Sequence, residues 1–186
     1  MPSVPFKTIE SEIVYETSWF RVQKHEVEVR GDGHRFTYSY LSTAPSVMVV
    51  AVTPRNQIVL VRQFRYPSRE FSFELPGGGT GGQDALEAAS DELREETGFR
   101  AGRVRKLGDF VVYCGLSDES CSVVLAEDLE PGEQALEKTE HITVHPVGYP
   151  ELDRMIREGE FRDGMGLAAL RIAEPFLQRL ASNDCD

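Results

Sequence analysis

Cysteine is scarce in this chain. Cys114, Cys121 and Cys185 form no paired framework and no metal-ligand spacing, so a disulfide scaffold and a thiolate metal centre are set aside and reduced thiols are expected. The histidines, at 25, 34, 141 and 145, show no ligand spacing either. Positive charge is also short. With 20 Lys and Arg against 31 Asp and Glu, the net charge is −11, which argues against a nucleic-acid backbone or an anionic membrane as partner. A small phosphate ligand stays open, provided that a metal and a few Arg residues supply local positive charge. No apolar run approaches a membrane span and none follows a basic start, so a cytoplasmic location is expected. Internal repeats and low-complexity tracts are lacking. What remains is an ordinary soluble composition, 40% hydrophobic and 27% charged, in a chain long enough to bury a core as one domain.

The most informative stretch runs from Glu74 to Phe99, ELPGGGTGGQDALEAASDELREETGF. Glycines 77, 78, 79, 81 and 82 let a bulky polar ligand lie against the main chain. Gln83 and Asp84 then open a helix that Gly98 ends with a left-handed stop. At about 100° per residue, Leu86, Ala89, Leu93 and Thr97 form the core stripe, with Glu92 and Glu96 together on its flank and Glu95 pointing away. These acids are poorly placed for stability. Asp91, Glu92, Glu95 and Glu96 crowd the negative end of the helix dipole and form like-charge pairs four residues apart. A solvated acidic face is one explanation; a hard divalent cation, held by a few carboxylates together with substrate phosphates, is the other.

The glycine loop before that helix tips the balance, because the stretch resembles the Nudix box. Gly77 takes the box's first glycine, and Glu92, Leu93, Glu95, Glu96, Gly98 and Phe99 fall on the pattern R-E-U-x-E-E-x-G-U, with U apolar. Two positions depart: Gln83 stands for the family's first Glu and Asp91 for its Arg, so a supporting ion pair is expected to be missing as a unit. The resemblance implies Mg²⁺ or Mn²⁺ held by the Gly77 carbonyl, Glu92 and Glu96, with Glu95 assisting and Glu74 nearby.

The rest of the chain resembles the ADP-ribose and nucleoside diphosphate sugar pyrophosphatase branch of that family. From Ile13 to Leu41 the pattern is strand-like around the turn Gly31-Asp32-Gly33. The resemblance makes residues 1–43 an N-terminal β arm that builds a homodimer, and residues 44–186 the catalytic domain. Trp19 matches the arm aromatic that stacks on the base, with Phe36 or Tyr38 as a second; packing of Trp19 against the core is the alternative. SVMVVAVT from Ser46 and IVLVRQFR from Ile58 suit covered strands. Gln63 to Arg65 resembles the branch's VxQxR signature, which makes Arg65 the clamp on the diphosphate; a surface salt bridge is the alternative. Gly78 in the glycine loop and Ser117 in the 113–119 loop are placed with the substrate.

Glu127 to Glu140 shows no period and reads as a mobile loop. The resemblance puts a carboxylate just before the next strand to orient or deprotonate the attacking water, Glu140 first and Glu137 in reserve. Helices are expected over 150–158 and 164–181, the second broken or kinked at Pro175. The fold implied is α/β, a Nudix-type α/β/α sandwich with a mixed sheet. The function implied is metal-dependent hydrolysis of ADP-ribose or a related nucleotide sugar to a nucleoside monophosphate and a sugar phosphate. Because of Gln83 and Asp91, a nucleotide-sugar binding module with impaired catalysis is the second reading.

Overall fold

The computed structural model describes residues 4–183, with side chains through Arg179. Cys185 and its two neighbours at the end of the chain lie outside the described residues. The chain divides into two compact units, one of residues 1–44 and 111–120, the other of residues 45–110 and 121–186.

The first unit is an antiparallel three-stranded sheet, β1 (Phe6–Glu16), β2 (Phe20–Val29) and β3 (Arg35–Thr43). Its sequence reads as one strand from Ile13, but the structure breaks it at Thr17, whose Oγ1 accepts from the amides of Trp19 and Phe20, both at 3.1 Å. A Thr hydroxyl that captures backbone donors two and three residues on competes with strand pairing. The second turn falls on Gly31 and Gly33, both with positive φ. The segment 111–120 joins β3 through the Leu41 amide, which donates to the Leu116 carbonyl at 2.7 Å.

The second unit holds two more sheets. One is mixed, in the order β7 (Gly77–Gly79), β4 (Ser46–Ala51), β9 (Ser120–Glu130), β8 (Arg100–Val111), with β4 and β9 parallel and β4 and β7 antiparallel. The other is antiparallel, β10 (Ile142–Gly148), β5 (Gln57–Arg65), β6 (Glu70–Glu74). All six residues of β4 are buried, as expected for a strand covered on both faces. Helix α1 (Ala85–Thr97) packs Ala88, Ala89 and Leu93 into a core with Val47, Val49, Val59 and Val124. Burial of each such Leu or Val side chain is worth about 1.5–3 kcal/mol, and of each Ala less, so this core, rather than helix propensity, holds α1 in place. Helices α2 (Tyr149–Arg157) and α3 (Gly164–Asn183) complete the unit. The α3 helix runs on through Pro175 instead of breaking there, with Ala173 and Leu177 buried on either side of it.

Two local features follow the sequence closely. Asp84 caps α1, accepting from the Leu86 amide at 2.9 Å, and Gly98 ends it at φ +77° while donating to the Arg94 carbonyl at 2.9 Å. Gly98 also crosses Gly132 with no room for a side chain: a Cβ on Gly98 would lie 2.6 Å from the Gly132 carbonyl oxygen, and one on Gly132 would lie 2.7 Å from that of Gly98. Gly98→Ala is therefore expected to lose at least about 1–3 kcal/mol in urea unfolding. Gly132→Ala, free of the left-handed constraint, measures the steric part alone; an unchanged midpoint in both would show that the crossing is loose.

Candidate active site

Three residues of the glycine stretch form a strand, not a free loop. Gly77, Gly78 and Gly79 pair with Met48, Val47 and Ser46, and the Thr80 amide then donates to the Pro45 carbonyl at 2.9 Å. Strand β7 is thus fixed to the buried β4 and runs past α1. Glu96, only 4% exposed, accepts from the Gly77 amide at 2.9 Å. Glu92 lies against Gly78 so closely that a Cβ there would sit 2.4 Å from the Glu92 carboxylate. Glycine at 78 is what lets a carboxylate approach the strand backbone.

These two acids strain against their surroundings. Burial pushes Glu92 up to about 7, helped by the charges of Glu95, Glu140, Glu137 and Asp91. Burial likewise pushes Glu96 up to about 8; its bond from Gly77 opposes this, Glu92 and Glu140 add to it, and Arg65 opposes it. Among the described residues no cluster of three or more His, Cys, Asp or Glu converges tightly enough to hold a metal by itself. The donor set nonetheless suits Mg²⁺ or Mn²⁺, which are held by one or two carboxylates plus substrate phosphates rather than by an all-protein cage. Two crowded carboxylates beside a strand backbone, both pushed toward their neutral form by burial, are such a partial set.

The two departures from the box turn out to meet. The Gln83 amide nitrogen donates to Asp91 Oδ2 at 3.2 Å, and Arg94 Nη2 reaches both Asp91 Oδ1 at 3.1 Å and Glu95 Oε1 at 2.7 Å. No ion pair joins positions 83 and 91; a hydrogen bond from a neutral amide couples them instead, and Asp91 bridges Gln83 to Arg94. Glu95 is held by Arg94, whereas among the described residues no cation is in ion-pair contact with Glu92 or Glu96.

Arg65 also has a protein partner. Its Nε donates to Glu74 Oε1 at 2.9 Å and its Nη2 to Oε2 at 2.5 Å, a bidentate pair that the Gln63 amide extends at 3.0 Å to Oε2. Glu74 is buried while Arg65 is half exposed, and Nη1 is not engaged by Glu74. Strand β5 thus carries the salt-bridge reading, with the Arg65 side chain half exposed. Asp163, at the start of α3, faces the same pair electrostatically and accepts from the Gly166 amide at 2.7 Å; burial raises its pKa. Sequence reading missed Asp163, although an Asp before a helical Gly-x-Gly is a capping signal.

The 127–140 segment departs from expectation. Strand β9 extends through Glu130, with Leu129 buried, so the first four residues are strand and not loop. The remainder is docked on α1 rather than free: the Ala135 amide donates to the Glu95 carbonyl at 2.9 Å and the Gln134 side chain to the Glu96 carbonyl at 2.5 Å. Glu137 and Glu140 close a turn through the Glu137 amide, 2.9 Å from Glu140 Oε2. Their charges act on Glu92.

Trp19, Tyr38 and Ser117 belong to the first unit. Tyr38 and Ser117 both line a cavity of about 430 Å³ there, with the Tyr38 hydroxyl donating to the Gly115 carbonyl at 3.0 Å. Trp19 lies outside that lining and is 78% exposed, so core packing is not what holds it. Among the described cysteines, Cys114 is exposed and Cys121 buried, and no disulfide joins them.

Comparison with known proteins places this arrangement. A family model described as NUDIX domain matches residues 42–164. The chain is 29% identical over 174 residues to an ADP-ribose pyrophosphatase of Bacillus subtilis (strain 168), covering 92% of this chain and 94% of that one. It is also 29% identical over 169 residues to an ADP-ribose pyrophosphatase of Mycobacterium tuberculosis (strain ATCC 25618 / H37Rv), covering 89% and 81%. A crystal structure of an ADP compounds hydrolase matches its fold with a TM-score of 0.83 at 20% identity, over 96% of this chain and 97% of that one. No helix among the described residues is long and apolar enough to cross a membrane.

Proposed function

The chain belongs to the NUDIX-domain family and is a hydrolase of it; from that premise we propose that it cleaves the diphosphate of ADP-ribose or a related nucleotide sugar, using Mg²⁺ or Mn²⁺. The observation that carries this reading is the pair Glu92, partly buried, and Glu96, buried, set against the backbone of β7 with no ion-pair partner among the described residues. The names of the two curated relatives supply the substrate class.

In this reading Glu92, Glu96 and the Gly77 carbonyl hold the metal, which supplies positive charge against the diphosphate. Glu95, fixed by Arg94, completes the negative wall. Arg65 keeps its carboxylate partner and turns the remaining guanidinium edge to a phosphate oxygen, a contact suited to its planar donors. Glu140, with Glu137 as reserve, orients or deprotonates the attacking water. Gly78 allows the substrate close to the main chain. Trp19, Tyr38 and Ser117 bind the nucleotide end, and the exposed β1, with Phe6, Ile9, Ile13 and Tyr15 all open to solvent, serves a homodimer. The site of action is cytoplasmic.

The test is product release from ADP-ribose and a panel of nucleotide sugars with Mg²⁺, with Mn²⁺ and with chelator. Turnover on ADP-ribose that chelator abolishes is the expected result. Ligand-induced thermal stabilisation without turnover would overturn it and favour a binding module.

A further inference from the structure

The last carbonyls of a helix need donors, and those of α1 receive them from the acidic loop. Gly98 satisfies Arg94, but the Glu95 carbonyl is taken by the Ala135 amide at 2.9 Å and the Glu96 carbonyl by the Gln134 side chain at 2.5 Å. The mutual close approach of Gly98 and Gly132 sets the same junction independently. Only Leu136 separates this junction from the turn of Glu137 and Glu140.

Electrostatics makes such a junction necessary. A loop carrying Glu133, Glu137 and Glu140 against the single Lys138 approaches a helix end that is itself negative and bears Glu92, Glu95 and Glu96 against the single Arg94. Charge alone would push it away. A neutral amide donor is well matched to the task, since it meets the partial negative charge of the carbonyl without adding to the repulsion. We propose that Gln134 is a positioning residue for hydrolysis: its latch on the Glu96 carbonyl holds the Glu137–Glu140 turn against the carboxylates of α1. The role rests on the hydrolytic reading above; the latch itself does not.

Two measurements separate them. Gln134→Leu removes the donor, and Gln134→Glu replaces it with a charge that repels the carbonyl. In the metal-free protein, hydrogen exchange over residues 133–140 should quicken in both variants; unchanged exchange overturns the latch whatever the chemistry. With ADP-ribose and Mg²⁺, kcat should fall roughly 10–100-fold, more for Glu than for Leu, while KM and the Mn²⁺ affinity of the free enzyme read by electron paramagnetic resonance stay within about twofold. The loss should vanish when Gln134→Leu is placed in whichever of the Glu140→Gln or Glu137→Gln backgrounds itself lowers kcat. Faster exchange with unchanged kcat, an equal loss in that background, or a loss carried by KM or Mn²⁺ affinity each overturns the positioning role. Absence of turnover in the unmodified protein, with exchange still quickened, removes the hydrolytic reading and the role together and leaves the latch standing.

Discussion

Glu96→Gln should lower metal-dependent turnover by at least roughly 10²–10³-fold and at the same time make the metal-free protein more stable at pH 8. The two effects have one cause. Glu96 is 4% exposed and takes its hydrogen bond from the Gly77 amide, a bond that the carbonyl of Gln can equally accept. What Gln cannot do is carry the negative charge that a divalent ion needs. That charge is costly without the ion, since burial together with Glu92 and Glu140 moves the carboxyl from 4.5 to about 8. At about 1.36 kcal/mol per pKa unit, the shift bounds the stability recovered at about 5 kcal/mol. Glu92→Gln should act in the same direction, with a smaller gain because Glu92 is only partly buried and shifts only to about 7. Near-normal kcat in both variants would remove the carboxylate pair from the chemistry. Loss of activity with loss of stability would mean that the pair is structural.

Much of this site is legible in the sequence, because spacing on a helix is geometry. Gly77, Glu92, Glu95, Glu96 and Gly98 come from the box alone, and the end of α1 follows from Gly98, while its start is read two residues early, at Gln83 rather than after the Asp84 cap. Contacts that leave no period were not legible. Gln83 and Asp91 lie eight residues apart, one before the helix and one inside it, and meet only because the chain folds back at the Asp84 cap. The pairing of Arg65 with Glu74 depends on the register of β5 against β6, in which Arg65 faces Glu70 and Val61 faces Glu74. The acidic loop reads as mobile because its anchors are one backbone amide and one Gln side chain, neither of which marks a sequence. The break at Thr17 was hidden for the reverse reason: flanking residues that favour strand continue across it.

In the metal-free protein, stability should fall as the pH rises from about 4.5 to about 8, and Mg²⁺ or Mn²⁺ should restore it mainly at the upper end. Glu92 and Glu96 release their protons at an ordinary 4.5 when unfolded but at about 7 and about 8 when folded. Between those values the native state holds protons that the unfolded state has lost, so the slope of stability against pH is negative. The contribution is fully present below 4.5, is lost through 7 and 8, and is level beyond. Asp163, raised by its own burial, adds to the same fall. Asp109, lowered by its bonds from Lys106 and Ser122, works in the opposite sense and in a separate window, since its contribution is lost only as the pH drops below the ordinary carboxylate range. A divalent ion binds the ionised pair, so binding must expel the protons that the pair retains. The thermal shift produced by Mn²⁺ should therefore be small at pH 5.5, large at pH 8, and accompanied near pH 7 by proton release that calorimetry in buffers of different ionisation enthalpy can count. Glu96→Gln should flatten both the pH curve and the shift. A metal-induced shift that is the same at both pH values, or a metal-free protein whose stability climbs from pH 5 to pH 8, would mean that Glu92 and Glu96 are already compensated within the chain and that no ion is needed to hold them.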